Sequence, residues 1–371
     1  MTDRQIVDAD VVVVGGGPAA SWAALTAARS GAEVVLADKG YCGTSGATAA
    51  GGTGVWYVQP DPAAREAAMA SREALGGYLA DRRWMARVLD QTYANMNELA
   101  ERGRYPFPTG PDGRQLRNGL QGPEYMRRMR IAVRRAGVRI LDHSPVTELL
   151  TTPDGSVAGA AGHRRQQGVD YLVRAGAVVL ATGGCAFLSK ALGTDTNTGD
   201  GALFAAEVGA ELSGMEFSNA YGIAPEHTSV TKTAFYSFAT FYRADGSELE
   251  GAGSQVGRSV IARTLLSEKV YCRNYLRHGE RLSAALTVLD AAWESVRSGL
   301  HGTGAQALRT RQAAALAAHA RWMYRSALAR TETRGMAKRL DHPEQDPAQH
   351  HRIATGGLDQ VWTRTLTGAA A

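Results

Sequence analysis

Cysteine is scarce and badly placed for chemistry: the chain has three, Cys42, Cys185 and Cys272, far apart and with no Cys-x-x-Cys pair. This spacing excludes a zinc site or an iron–sulfur cluster held by the chain's own thiols, so any cluster belongs to a partner. An odd number of thiols builds no complete disulfide framework, which points to a reducing, cytoplasmic setting. Long apolar runs are also missing. The N-terminal run is only Val11 to Val14, follows Asp3, Asp8 and Asp10, and is too short for a secretory signal. No stretch approaches the roughly 20 apolar residues of a membrane-spanning helix, so direct membrane insertion is not expected. Blocks of one charge are not evident either: 41 basic and 36 acidic residues leave +5, read as spread along the chain. This speaks against nucleic acid while leaving a mild bias toward anionic ligands. Core-forming residues are not lacking, since 44% hydrophobic against 21% charged residues excludes a mostly disordered chain.

What is present begins with a βαβ unit. Ala9 to Val14 is continuously apolar and suits a central parallel strand covered on both faces. Pro18 to Ser30 reads as a helix stopped by Gly31, and Glu33 to Ala37 as the second strand. Between the first strand and the helix lies Gly15-x-Gly17-x-x-Ala20, small residues at a tight turn where a pyrophosphate can rest on N–H groups at the positive helix end. Asp38, about 20 residues on, is placed to accept hydrogen bonds from ribose hydroxyls and to repel a 2′-phosphate. A dinucleotide other than NADP is implied; the motif alone leaves NAD and FAD open.

Further along, Gly40 to Gly54 reads as a long Gly/Ser/Thr/Ala loop of the functional kind. Helices are predicted at Ala63 to Leu75, Asp81 to Arg102 and Pro123 to Ala136. Val138 to Leu141, Pro145 to Thr152, Val157 to His163 and Tyr171 to Arg174 read as a small antiparallel meander. Ala177 to Leu180 then returns to the main sheet and runs into Ala181-Thr182-Gly183-Gly184, where a backbone can approach a ligand closely. A less regular region spans Glu216 to Gly257. Beyond Arg258 the chain turns helical, with a stripe through Leu308, Gln312, Leu316, His319, Trp322/Met323 and Ala327.

Five segments together resemble the flavoprotein subunits of the succinate dehydrogenase and fumarate reductase family, which includes L-aspartate oxidase and adenylylsulfate reductase. They are the N-terminal motif with Asp38-Lys39, the loop Ser45 to Gly52, the run Ala181 to Gly184 continuing through Thr198-Gly199-Asp200-Gly201 to Phe217, Gly257 to Arg263, and Ala327 to Met336. The resemblance implies an α/β fold: a Rossmann-like FAD-binding domain over 1–222 with a parallel central sheet and the small antiparallel meander, a capping-domain remnant over 223–270, and a C-terminal helical domain over 271–371. It implies FAD, and noncovalent FAD, because Ser45 stands at or near the position of the histidine that membrane-bound members attach to flavin. The implied cofactor-binding residues are Gly15, Gly17, Pro18, Ala19, Ala20, Asp38, Lys39, Thr44, Ser45, Ala50, Gly51, Gly52, Ala181, Thr182, Gly183 and Asp200, with no metal ligand. Arg258 matches the arginine that donates a proton to the substrate as hydride moves to or from flavin N5. The substrate is expected to be a small anion. An iron–sulfur or ferredoxin-like electron-transfer subunit is an expected partner, with helices around Arg325, Arg330 and Arg334 as either its docking face or a plain solvated face.

Two departures qualify the transfer. Where dicarboxylate-handling members have a His-Pro pair, this chain has Asn219 to Pro225, leaving Tyr221 or His227 to substitute. The long section between the arginine motif and the helical domain, with the rest of the cap and a late Gly-rich return beneath the flavin, is not found. Gly356-Gly357-Leu358 is a poor replacement on the expectation that no buried strand precedes it. The alternative is therefore a shortened, catalytically inactive FAD-binding or scaffold subunit; an NAD-dependent dehydrogenase leaves the later segments unexplained.

Overall fold

The computed structural model describes residues 4–218, 245–247, 276–298 and 304–366. Arg258 and its motif, Tyr221, His227, Cys272 and almost all of the expected cap over 223–270 lie outside the described residues.

Strand β1 (Gln5–Val14) is polar and half-exposed where it begins and buried from Val12 to Val14, where its neighbours cover it. Helix α1 (Pro18–Arg29) and strand β2 (Val34–Ala37) complete the βαβ unit. Six strands form one sheet in the order β5-β2-β1-β8-β7-β6, with β5 at Arg139–Leu141, β6 at Val146–Thr151, β7 at Val157–Arg164 and β8 at Val169–Leu180. Val12 aligns in parallel with Val35 on one side and Val178 on the other.

Two expectations change here. The segments Tyr171 to Arg174 and Ala177 to Leu180 are one strand, because β1 pairs on both sides of the mid-strand glycine, Gly176, Ala9 with Ala175 and Val11 with Ala177, and so keeps the register across it. Strand β8 pairs antiparallel with β7 and parallel with β1, so the meander is continuous with the main sheet. The segment Val138 to Leu141 does not join that meander; β5 lies at the opposite edge, parallel to β2.

Both faces of the parallel strands are covered. Val13 and Leu36 pack on one side with Ala20 and Ala24 of α1 and Met126 and Met129 of α5 (Gly122–Arg135). Val12, Val14 and Val35 pack on the other with Tyr171, Val173 and Phe204. The long loop after β2 carries the one-turn helix α2 (Ala47–Ala50) and strand β3 (Gly52–Gly54), which pairs with β4 (Gly119–Gln121). Helices α3 (Pro62–Leu75) and α4 (Arg82–Glu101) start from the side chains of Asp61 and Asp81, which accept from the N–H groups of Ala64 and Arg83.

Helix α6 (Asp200–Glu207) follows β8, and strand β9 is Leu212–Ser213. Helices α7 (Gly279–Ser298) and α8 (Gly304–Ala329) form the helical region. The predicted stripe on α8 lies along its buried face only in part: Leu308, Trp322, Met323 and Ala327 are buried, Gln312, Leu316 and His319 are half-buried, and Ala314, Ala315 and Ala318 beside them are buried; Trp322 and Met323 share a cluster with Leu203 and Met215. Strands β10 (Arg352–Gly356) and β11 (Trp362–Leu366) pair with β9 in the order β11-β10-β9. A buried strand therefore does precede Gly356-Gly357, contrary to expectation. Its polar Arg352 and Thr355 hide the pattern, and Thr355 is buried because it finds a hydroxyl partner in Ser326.

The expected docking face is also overturned for two of its three arginines. Arg330 and Arg334 are buried. Glu216 Oε1 accepts from Arg330 at 2.9 Å, Glu332 from Arg330 at 2.7 Å and from Arg334 at 2.6 Å, and Arg334 also donates to the Gly77 carbonyl. Such charges are placed by desolvation and pairing, which the helical period cannot register. Burial alone would raise the Glu332 carboxyl, but hydrogen bonds from Arg334, the Asp346 N–H and Arg330 outweigh it and hold the group below its ordinary value.

Candidate functional site

The carboxyl ends of β1, β2 and β8 meet where the strand order lets a crevice open, and a cleft of about 350 Å³ lies there. Three turns line it: Gly15 to Gly17 after β1, Asp38-Lys39 after β2 and Ala181 to Gly184 after β8. Gly15 has φ +119°, and a Cβ on it would lie 2.3 Å from the Ala181 carbonyl oxygen, so only glycine brings the first and third turns together. Gly17 differs. It is the N-cap of α1 with φ −78° and ψ −171°, its side chain position is open space, and α1 has no side-chain cap. The first-turn N–H groups of α1 thus lack the protein acceptor that most helices supply, the condition under which a helix start binds an anion.

Asp38 is buried at 6% exposure, accepting from the Gly40 N–H at 3.0 Å and the Ser45 hydroxyl at 3.2 Å. Burial raises its pKa, opposed by these two hydrogen bonds. Lys39 Nζ pairs with Asp200 Oδ2 at 2.6 Å and also meets Thr198, whose hydroxyl donates to Asp200 at 2.8 Å. This clasp ties the end of β2 to the start of α6. Below it, Arg130 pairs with Asp142 at 2.7 Å and donates to the Cys42 carbonyl at 2.8 Å, fixing the loop that carries Ser45. Burial pushes the Cys42 thiol up to about 12, so it stays neutral and serves as packing.

The structure gathers Gly15, Gly17, Pro18, Ala19, Asp38, Lys39, Ser45, Ala181, Thr182, Gly183 and Asp200 around the cleft. Ala20 instead faces the sheet and is fully buried. Thr44, Ala50, Gly51 and Gly52 are not among the lining residues: the Gly51 carbonyl accepts from the Gly122 N–H at 2.7 Å and Gly52 pairs in β3. Sequence reasoning missed Met126, Val146, Asn197 and Phe204, which reach the cleft from elements distant in sequence. Asn197 lies two residues before Gly199 and could have been found from that motif; its Oδ1 is buried without a hydrogen-bond partner. The other three carry no local signal. Among the described residues no His/Cys/Asp/Glu group is arranged to hold a metal, and no helix is long and apolar enough to cross a membrane.

His319 of α8 reaches the same neighbourhood. A Cβ on Gly199 would lie 3.3 Å from its Nδ1, which is buried and unpartnered. Burial lowers its pKa to about 4. The folded state therefore favours neutral His319, while an unfolded chain takes up a proton below about pH 6.5; stability rises with pH between these values and is lost as pH falls. Taking the chain from pH 7 to pH 5 is expected to cost about 2 kcal/mol through this group. Urea midpoints at the two pH values check it: the acid loss should shrink by that amount in His319→Gln, and an equal loss in both proteins rejects the assignment.

Comparison with known proteins agrees with this geometry. Residues 10–221 match the FAD binding domain family, and residues 272–362 match the fumarate reductase flavoprotein C-terminal family. The chain is 31% identical over 230 residues to an L-aspartate oxidase of Streptomyces coelicolor, covering 57% of this chain and 39% of that protein. It is 28% identical over 248 residues to a probable fumarate reductase of Shewanella frigidimarina, covering 57% and 40%. It thus spans about two fifths of the length of these curated relatives. A quinol fumarate reductase structure from E. coli superposes with a TM-score of 0.78 at 16% identity over 97% of both chains, which establishes likeness of fold.

Proposed function

Since the chain belongs to the FAD binding domain family, joined to a C-terminal region of the fumarate reductase flavoprotein type, we propose that it is an FAD-dependent oxidoreductase acting on a small anionic substrate. The observation that carries the reading is the uncapped start of α1 opposite the buried Asp38, N–H donors for a pyrophosphate and a carboxylate acceptor for ribose hydroxyls. The residues present fit the group: open space at Gly17 admits the pyrophosphate, and the orphaned Asn197 Oδ1 awaits a donor. Bound there, FAD supplies hydride exchange with the substrate.

The chain's own contribution is holding and proton supply. Gly15, Gly17, Pro18 and Ala19 form the pyrophosphate cradle, Asp38 holds the ribose, and Ser45 leaves FAD noncovalent. The Lys39–Asp200 clasp fixes two walls of the cleft. Arg258 donates the proton to the substrate; its high ordinary pKa requires a dry setting and reprotonation through a relay. No Cys-x-x-Cys pair is present, so single-electron exit needs an iron–sulfur or ferredoxin-like partner.

The test is the visible spectrum of purified protein titrated with FAD, followed by acid precipitation. A flavin band that bleaches with reductant and passes into the acid supernatant is the expected result. Failure to retain flavin rejects the proposal and favours the inactive scaffold subunit. With turnover in hand, Arg258→Gln is expected to keep the flavin spectrum and lose about 10³-fold in rate, within the range of a missing general acid. Unchanged turnover removes Arg258 from the reaction.

A further inference from the structure

Basic residues are not spread as evenly as a scan of the chain suggests. Between positions 102 and 139 there are ten arginines, no lysine, and only Asp112 and Glu124 as acids. Folding draws several of them to one place, away from the FAD cleft. A second hollow, of about 480 Å³, lies between α1, α5 and the end of α4. Five arginines line it: Arg29, Arg102, Arg127, Arg128 and Arg135.

Helix-end stabilisation does not account for this set. Arg29 and Arg135 lie in the last turns of α1 and α5, and Arg102 is the C-cap of α4, where cations are favoured. Three helix ends supply only about 1.5 negative charges in total. Glu98 pairs with Arg29 at 2.6 Å, and Glu124 pairs with both Arg127 and Arg128. Five guanidinium groups therefore meet two carboxylates, and among the described residues Arg102 and Arg135 have no ion pair. The excess remains positive after the helix ends are included.

The floor is apolar. Trp22 lines the hollow beside the buried Leu25, Leu99 and Met129, and its indole N–H is anchored on the Tyr125 hydroxyl at 2.8 Å. A fixed indole beside planar, forked cations matches a ligand with a flat apolar body and more than one phosphate. The volume suits a small molecule. We propose that this hollow is a second site, independent of the FAD cleft, for a nucleoside di- or triphosphate, with the base on Trp22 and the phosphates on Arg102 and Arg135.

The probe is ADP, measured by equilibrium dialysis against Gly17→Val protein, whose FAD cleft is obstructed, so that the outcome does not depend on flavin binding. ADP is expected to bind, adenosine not, and pyrophosphate more weakly than ADP. The double variant Arg102→Glu/Arg135→Glu is expected to weaken ADP about a hundredfold, two charge-assisted contacts being lost. Its far-ultraviolet circular dichroism should match the parent, since both side chains are exposed, and its melting midpoint should fall only by the small cost of acids at two helix C-termini. Trp22→Ala should bring ADP and pyrophosphate to equal affinity. No ADP binding, or binding unaltered in the double variant, overturns the site. Pyrophosphate binding as tightly as ADP to the parent reduces it to a simple anion site, and capture by phosphatidylglycerol vesicles without nucleotide binding makes it a lipid-headgroup contact; either result overturns the nucleotide assignment.

Discussion

Gly17→Val is expected to unload the flavin while leaving the apo protein folded. Its backbone lies in the extended region open to any residue, and no atom lies within 4 Å of the position a Cβ would take. The new side chain therefore costs the empty protein little. It stands at the uncapped start of α1, where the proposed pyrophosphate site requires close approach to the backbone. FAD affinity should fall about a hundredfold or more, ~3 kcal/mol, read as the loss of flavin absorbance per protein with an unchanged melting midpoint of the apo form. Gly15→Val is the contrast, because φ +119° and the 2.3 Å approach to Ala181 oxygen disturb the sheet itself. Should Gly17→Val retain FAD at parental affinity, the pyrophosphate is not held at this turn.

Glu332→Gln is expected to be strongly destabilising, by about 3–5 kcal/mol. The substitution keeps the shape and removes one charge. Of the two buried arginines, Arg330 then keeps the buried Glu216, while Arg334 loses the carboxylate it pairs with. A buried ion pair adds little over an apolar core, but breaking one strands the surviving charge in a poor solvent. Because Arg334 also donates to Gly77 and Arg330 holds Glu216, the loss should loosen the helical region from the sheet domain. Urea unfolding measures it. A change below about 1 kcal/mol means that water reaches the network and solvates the arginines.

The central part of the fold was legible because its signals are local. A valine run, a glycine turn and an acid at the end of the next strand are separated by distances that the βαβ unit fixes. Of the eleven cleft-lining residues named, Gly15, Gly17, Asp38, Lys39, Ala181, Thr182 and Gly183 sit in turns directly following strands, and Pro18 and Ala19 open the helix after the first of these turns. Strand β8 was split at Gly176 because a single sequence shows the glycine but not the pairing with β1 that continues on both sides of it. Strand β10 was missed because Thr355 reads as surface until Ser326, 29 residues earlier, supplies its partner.

The sequence by itself determined the dinucleotide cradle, the preference for FAD through the family resemblance, and the buried stripe of α8. The cradle and the stripe depend on residues near one another in the chain, and the preference for FAD on short segments spread from the N-terminal motif to Met336. Tertiary structure alone decided which charges are buried and which are free to bind. Arg330 and Arg334 look like a solvated face, yet they neutralise Glu216 and Glu332 in the interior. Arg102 and Arg135 look no different, yet among the described residues they have no ion pair and line a hollow. An arginine's role is set by which carboxylates and how much water surround it, and chain folding brings those together from positions more than a hundred residues apart.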